Sequence, residues 1–382
     1  MKRTPTDQLA SPFASDRLMM HANTSDDVRF MQRALELAER GRGRVAPNPL
    51  VGAVVVRDNV VVGEGWHARF GEAHAEVVAL RDAGESARGA TLYVTLEPCS
   101  HTGKTPPCTT AIVAAGITRV VYAVADPNVT ASGGALALTS HGLRVVGGIC
   151  AAEGDELIAP FGFSLRHTER PFVTVKLAVS IDGAIVDASR RRAWLTGPDA
   201  RRAVHALRAG VDAIAVGIGT VFTDDPLLTV REGQSVRSAP QRVIFDRAAR
   251  LPLSSALMAS VADAPVVVIT DGRDPVSEGQ LHEAGAVVMS VDSLRQALTC
   301  LRARGVTHLL VEGGATLASA FMAAGFVDRL ITFQAPVLLG AGALAAFTSL
   351  PAQNADTAPR YRVVSRKTLG SDLMTTYAVS GE

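Results

Sequence analysis

The chain has 382 residues, 47% hydrophobic and 20% charged, with 38 Lys+Arg against 37 Asp+Glu and a formal net charge of +1. That composition excludes a disordered chain, and the balanced charge gives no global basic surface for nucleic acid or membrane. Four Cys exclude a disulfide framework and fit a cytoplasmic, reducing setting, no apolar run is long enough to span a membrane, and the length exceeds what one hydrophobic core serves.

Residues 1–25 are polar, lack the apolar stretch of a secretory signal, and are expected to form a disordered extension. Asp26-Asp27, followed by apolar residues at helical spacing, predicts a helix over 26–38 that ends at Gly41 and Gly43. Pro47-Asn48-Pro49 is a rigid loop. Strands are predicted over 51–56 and 60–63, joined by a turn at Arg57-Asp58-Asn59. A helix over 73–82 follows, then a strand over 90–96 ending at Glu97-Pro98-Cys99. Next come a helix over 109–115, a strand over 119–125 ending at Asp126-Pro127-Asn128, a helix over 136–141 and a strand over 144–146. This α/β alternation puts loops at strand ends, where open sheets bind ligands.

Residues 151–170 read as a connector, helix-like and then polar. From Pro171, strands at 172–179, 213–217, 241–245, 266–270, 287–290, 308–311 and 330–334 alternate with helices, one of them over 198–209. The last segments, 361–369 and 373–379, are expected to pair antiparallel. No repeat relates the two parts, so two different domains are expected, over 26–150 and 171–382.

Chemistry concentrates in His74-Ala75-Glu76, Pro98-Cys99 and Cys108. One imidazole and two thiolates suit a zinc ion with its fourth position open to water, which zinc makes acidic near neutral pH. Glu76, two residues after the His, is the acid/base partner of the H-x-E…P-C order in zinc deaminases. The competing readings are two buried, hydrophobe-like Cys, or a structural zinc module. The latter needs a fourth Cys or His, and none falls at finger-like spacing. Residues 100–107 make the interval between the Cys longer than the two residues of many zinc deaminases. They form a loop able to meet substrate, with Lys104 placed to meet an anion. His67 suits a pocket or a structural role, and Asn48, Asp126 and Asn128 suit either a pocket or turn caps.

Together, Pro47-Asn48-Pro49-Leu50-Val51-Gly52, His74-Ala75-Glu76, the run from Thr95 to Cys108, and Asp126-Pro127-Asn128 resemble the deaminase domain of the bifunctional riboflavin-biosynthesis deaminase/reductases. From Pro171 the resemblance continues into their reductase domain. It is carried by Lys176-Leu177-Ala178-Val179-Ser180-Ile181-Asp182-Gly183, Trp194-Leu195-Thr196-Gly197, Gly217-Ile218-Gly219-Thr220, Asp224-Asp225-Pro226-Leu227-Leu228 and Glu312-Gly313-Gly314. It covers the chain from about residue 26 onward.

The resemblance implies an N-terminal cytidine-deaminase-like α/β/α domain and a C-terminal dihydrofolate-reductase-like α/β domain. It implies Zn(2+) on His74, Cys99 and Cys108, catalysis by Glu76, and substrate contacts from Asn48, His67, Lys104, Asp126 and Asn128. The substrate implied is a phosphorylated ribosylamino-pyrimidine, first hydrolytically deaminated and then reduced by NADPH to a ribitylamine. Ala178, Trp194, Thr220, Asp224, Arg247, Gly313 and Gly314 match cofactor positions, and Arg192, Arg208, Leu228, Arg231 and Glu312 match substrate positions. An Arg at 247 suits the 2′-phosphate of NADPH, and glycines after the strand at 308–311 suit a pyrophosphate at a helix N-terminus. Membership also implies a homo-oligomer.

Two departures stand out. Gly133 matches the first glycine of a family G-x-G, but Ala135 stands at the second. Arg192 occupies a position where the family often has Ser. That Arg motivates a second reading, an active deaminase with an impaired reductase half. A nucleic-acid base deaminase is a third reading; the near-neutral charge and 5% aromatic content speak against it.

Overall fold

The computed structural model describes residues 25–102, 106–190, 193–351 and 354–379, so Lys104 and Arg192 lie outside the described residues. Two large sheets with separate apolar cores, and one two-stranded ribbon, carry the described residues.

The first sheet begins with α1 (Ser25–Glu39), β1 (Gly52–Arg57) and β2 (Val60–Trp66). In α1, Phe30, Met31, Ala34, Leu37 and Ala38 recur at helical spacing and are buried, each large side chain contributing about 1.5–3 kcal/mol. Asp58 and Asn59 adopt φ of 51° and 65°, the left-handed pair of a tight hairpin turn between strands. Then follow α2 (Ala75–Ala83), β3 (Thr91–Leu96), α3 (Cys108–Ala114), β4 (Arg119–Val124), α4 (Gly134–Ser140) and β5 (Arg144–Gly147). The strand order is β2-β1-β3-β4-β5, with β1 antiparallel to both neighbours and β3, β4 and β5 parallel. Residues of α2, α3 and α4 pack on one face, and α1 packs on the other, giving three α/β/α layers. Asp27 of α1 is clamped by the Tyr93 hydroxyl at 2.7 Å and by two Arg119 nitrogens at 2.7 and 2.8 Å. That buried network fastens α1 to β3 and β4.

Most boundaries shift by a residue or two from the sequence reading, and two of the differences matter to the site. β2 runs past Gly63, where the predicted strand ended, through Glu64 and Gly65 to Trp66. The two glycines are small because α2 lies against them: a Cβ on Gly65 would sit 2.4 Å from both Ala75 O and Ala79 N. The second difference is at α2, which starts at Ala75 and leaves His74 as an extended N-cap with φ −71° and ψ 160°. Gly65→Ala is expected to push α2 off the strand, costing about 1–3 kcal/mol in urea unfolding, as overpacking does, and to displace His74 at the N-terminus of α2 with it.

α5 (Ala151–Leu157) and α6 (Ala159–Arg166) follow. Gly154 lies against Ala123 and Val124 of β4, while Glu156 pairs with Arg329 at 2.9 Å and Ser164 O accepts from Arg302. The connector is thus helical and fastened at both ends.

The remaining elements are β6 (Phe172–Val179), the short β7 (Ala184–Val186), α7 (Pro198–Ala209), β8 (Ala213–Gly217), α8 (Ile218–Asp224), β9 (Gln241–Phe245), α9 (Ala256–Ala259), β10 (Val266–Thr270), α10 (Pro275–Glu283), β11 (Val287–Ser290), α11 (Leu294–Ala303), β12 (His308–Val311), α12 (Ala315–Ala323), β13 (Arg329–Gln334), β14 (Leu344–Ala345), β15 (Tyr361–Leu369) and β16 (Asp372–Val379); β7 and β14 pair with each other, and the other strands form the second sheet. Its order is β11-β10-β9-β8-β12-β6-β13-β16-β15. The strands from β11 to β13 are parallel, and β16 and β15 close the edge antiparallel. Helices cover both faces, which explains the continuous Val/Ile runs of these strands. Among the described residues, no helix is long and apolar enough to cross a membrane.

Candidate active sites

The first cavity, about 280 Å³, opens where the ends of β3 and β4 meet the N-terminus of α2. His74 Nδ1 lies 3.2 Å from Cys108 Sγ and 3.6 Å from Cys99 Sγ, and the three donors all lie within 4.8 Å of one another. Tetrahedral zinc with N and S ligands needs donors roughly 3.5–3.8 Å apart, so the set fits that ion. The Cys108 thiol, hydrogen-bonded to Cys99, holds the Cys99 thiol down to about 4, and His74 adds to this. That hydrogen bond and burial push Cys108 up. Metal binding requires the thiolate form of both Cys and a neutral imidazole, so it would displace the protons this cluster retains. Cys99 in turn holds His74 above its ordinary value.

Glu76 lies one turn into the cavity wall and is 4% exposed. Burial pushes its carboxyl above the usual carboxylate range, as suits a group that takes and returns a proton. His67, also buried, has its Nδ1 3.2 Å from Ala73 O and its Nε2 3.1 Å from Asn48 Nδ2. Nδ1–H therefore donates to the carbonyl and Nε2 accepts from Asn48, which fixes the amide. Burial holds His67 below its usual value and keeps it neutral.

Asp126 and Asn128 line the same cavity and also cap turns: Asp126 Oδ1 accepts from Asn128 N at 2.8 Å, and Asn128 Oδ1 from Thr130 N at 3.2 Å. The turn-cap reading of this pair is visible in these bonds, and both residues face the cavity as well. The departure at residue 135 has a clear physical setting. Glu97 accepts from Gly133 N and Ala135 N through Oε1, and from Asp126 N through Oε2, so these amides are already engaged by a carboxylate. Gly134 between them has no room for a side chain, since a Cβ would lie 1.7 Å from Pro98 O. Sequence reasoning missed Glu97 as the staple of this loop, and it missed Phe161, which reaches the cavity from α6.

The second cavity, about 1430 Å³, lies over the ends of the parallel strands of the second sheet. It is lined by Ala178, Trp194, Thr220, Asp224, Arg247, Gly314, Arg208, Leu228, Arg231 and Glu312. Its volume exceeds that of ordinary small-ligand pockets and admits a dinucleotide with a second molecule. The N-terminus of α12 opens into it at Gly314, Ala315 and Thr316, with Thr220 Oγ1 3.7 Å from where a Gly314 Cβ would be. Gly313 does not line it; that glycine makes room for Leu317, 2.8 Å from its missing Cβ. Asp182 does not line it either, and instead holds the 339–340 loop through Leu339 N and Gly340 N.

Arg208 grips Glu312 with two nitrogens at 2.6 and 2.9 Å and donates to Thr229 O at 3.0 Å. Burial opposes the Glu312 charge, but Arg208 outweighs it and holds the carboxyl below its usual range, with Lys176 adding. Burial pushes Lys176, which lines the same cavity, below its usual value. Sequence reasoning missed His205, three residues before Arg208 on α7. Its signal was the H-x-x-R spacing, which sets both side chains on one helix face.

Residues 24–124 match the family described as the cytidine and deoxycytidylate deaminase zinc-binding region, and residues 171–375 match the RibD C-terminal domain. The riboflavin biosynthesis protein RibD of Aquifex aeolicus is 40% identical over 351 residues, 91% of this chain and 97% of its own. Its Escherichia coli counterpart is 38% identical over 360 residues, 91% and 98% of the two chains. Among solved structures, Acinetobacter baumannii RibD superposes with a TM-score of 0.76 at 38% identity, covering 93% of this chain and 99% of that one. A Thermotoga maritima deaminase/reductase gives 0.77 at 35% identity with the same shares. Two separate cavities, one walled by a His/Cys set and one by a helix N-terminus over parallel strands, agree with those matches: the chain belongs to the RibD family of riboflavin-biosynthesis proteins, bifunctional enzymes that join a zinc-dependent deaminase to an NADPH-dependent reductase.

Proposed function

We propose that residues 26–150 deaminate 2,5-diamino-6-ribosylamino-4(3H)-pyrimidinone 5′-phosphate, and that residues 171–382 reduce the product to 5-amino-6-(5-phospho-ribitylamino)uracil, with 151–170 connecting them. The observation that carries this reading is the buried Glu76 in one cavity wall with His74 and Cys99. His74, Cys99 and Cys108 hold the zinc, which supplies Lewis-acid activation of water. Glu76 takes a proton from the attacking water and passes it to a ring nitrogen; it then carries the proton of the newly added hydroxyl to the departing amino group, which leaves as ammonia as the carbonyl forms. Asn48, oriented by His67, holds the ring edge. Asp126, Asn128 and Lys104 serve the ribose phosphate end.

In the second cavity NADPH supplies a hydride to C1′ of the ring-opened imine. The chain's own residues orient the two molecules. Thr220, Asp224, Ala178, Trp194 and the α12 N-terminus at Gly314 hold the cofactor, with Arg247 toward its 2′-phosphate. Arg208 already serves Glu312 and Thr229 O with three of its five N–H groups, and its charge is matched by Glu312. The substrate phosphate is therefore assigned chiefly to Arg231, which lines the cavity and forms no ion pair among the described residues. Lys176 is a proton-bearing side chain at this wall, and its lowered affinity for protons suits transfer to the imine nitrogen. The unpaired thiols favour a cytoplasmic setting, and the family likeness favours a homo-oligomer. An impaired reductase half rested on Arg192 alone and gains no support from the second cavity.

Incubation with the diamino substrate tests this. Ammonia is expected without NADPH, and the ribityl product, with equimolar NADPH oxidation, only when NADPH is added. Ammonia release that required NADPH, or no NADPH oxidation with the deaminated intermediate supplied, would overturn it.

A further inference from the structure

The loop after Pro226 reaches the second cavity by an unusual path. Leu228 is 3% exposed and takes φ of 51°, and Glu232 takes 59°, so the loop is bent at two non-glycine residues in the left-handed region. Two side chains of α7 hold it between those bends. Arg208 donates to Thr229 O at 3.0 Å, and His205 Nδ1 accepts the Arg231 amide N–H at 3.1 Å. His205 is 8% exposed and lines the cavity together with Arg231. An Nδ1 that accepts requires the proton on Nε2, so the imidazole must be neutral with one tautomer fixed.

We infer that His205 is a positioning residue for substrate recognition in the reductase half: its Nδ1 anchors the Arg231 amide and thereby aims the Arg231 guanidinium at the substrate's phosphate ester. This rests on the reading of Arg231 as the phosphate-binding residue. The surroundings keep the imidazole in the form the contact needs. Burial lowers its proton affinity first, then Arg208 and Arg231; Glu312 and Glu232 oppose them. Protonation at Nδ1 would set N–H against N–H. The contact is therefore intact at neutral pH and is lost as pH falls through a value below the ordinary imidazole range.

The test uses the full chain, NADPH and the deaminated, phosphorylated intermediate, with ammonia release by the same preparations as a check on folding. His205→Leu fills the space without an acceptor, and is expected to raise KM for the intermediate about tenfold, the worth of about 1.4 kcal/mol. KM for NADPH and kcat should move less than about twofold, a change near RT and small beside it. His205→Asn places its Oδ1 where Nδ1 stood and should return KM to within about threefold of the wild-type value, while His205→Gln, whose oxygen lies one atom further out, should not. In acid, the wild-type KM should rise more steeply than that of His205→Asn, since protonation of the substrate phosphate is common to both. Arg231→Ala separates the two ideas. If it leaves KM unchanged, the phosphate reading of Arg231 fails. If it raises KM while His205→Leu does not, or if His205→Asn fails to restore it, the role of His205 fails alone.

Discussion

Glu76→Gln is expected to slow ammonia release by about 10²–10⁴-fold, the usual worth of a positioned acid/base group. The side chain keeps its size in a wall where Glu76 is 4% exposed, and the amide removes a carboxylate that burial makes costly to charge, so folding should not suffer. Zinc content, measured by atomic absorption, should stay near that of the wild type because His74, Cys99 and Cys108 are untouched. NADPH oxidation with the deaminated intermediate should proceed at the wild-type rate. The assignment of Glu76 as the proton carrier fails if ammonia appears at an undiminished rate, or if zinc is lost in proportion to activity.

Glu312→Ala should act on stability as well as on the second reaction. Glu312 and Arg208 are 8% and 13% exposed in their side chains and meet through two nitrogens, and Lys176 lies close enough to feel the carboxylate. Removing the one anion leaves two confined cations, and breaking a buried pair costs about 3–5 kcal/mol. Urea unfolding should show that loss, and reductase activity should fall with it, while ammonia release continues at temperatures below the new transition. Arg208→Ala combined with Glu312→Ala should cost less than Glu312→Ala alone, because one stranded charge goes too. Since Arg208 holds the folded-state carboxyl of Glu312 below its usual value, the wild-type contribution is complete above the ordinary carboxylate range. It fades as pH falls through the lowered value, so the gap between wild type and variant should narrow in acid.

The parallel strands of the second sheet were legible residue for residue where apolar runs are bounded by Gly, Pro or charge, as at Phe172–Val179 and Ala213–Gly217. Burial on both faces writes itself into composition. β2 was cut short because its glycines serve a helix not yet placed, and a two-residue partner such as β14 has no pattern to read. The same logic divides the sites. Motif spacing gathered His74, Cys99 and Glu76 because they sit at strand ends and a helix start. Glu97, Phe161 and His205 were not legible, because each acts on a backbone or cavity reached through a fold rather than through neighbours in sequence. Asp126 and Asn128 read two ways because turn capping and pocket lining draw on the same short polar side chains.

The two helices between the halves have a geometric meaning. A flexible tether of their length would wander over roughly 25 Å, by the square-root scaling of random coils. The intermediate would then meet the second cavity at a distance averaged over a cloud of poses. Here Gly154 is seated on β4, Phe161 forms part of the first cavity wall, and Glu156 and Ser164 are tied to Arg329 and Arg302. The tether becomes a strut, and the separation of the two cavities becomes a property of packing rather than of chain statistics.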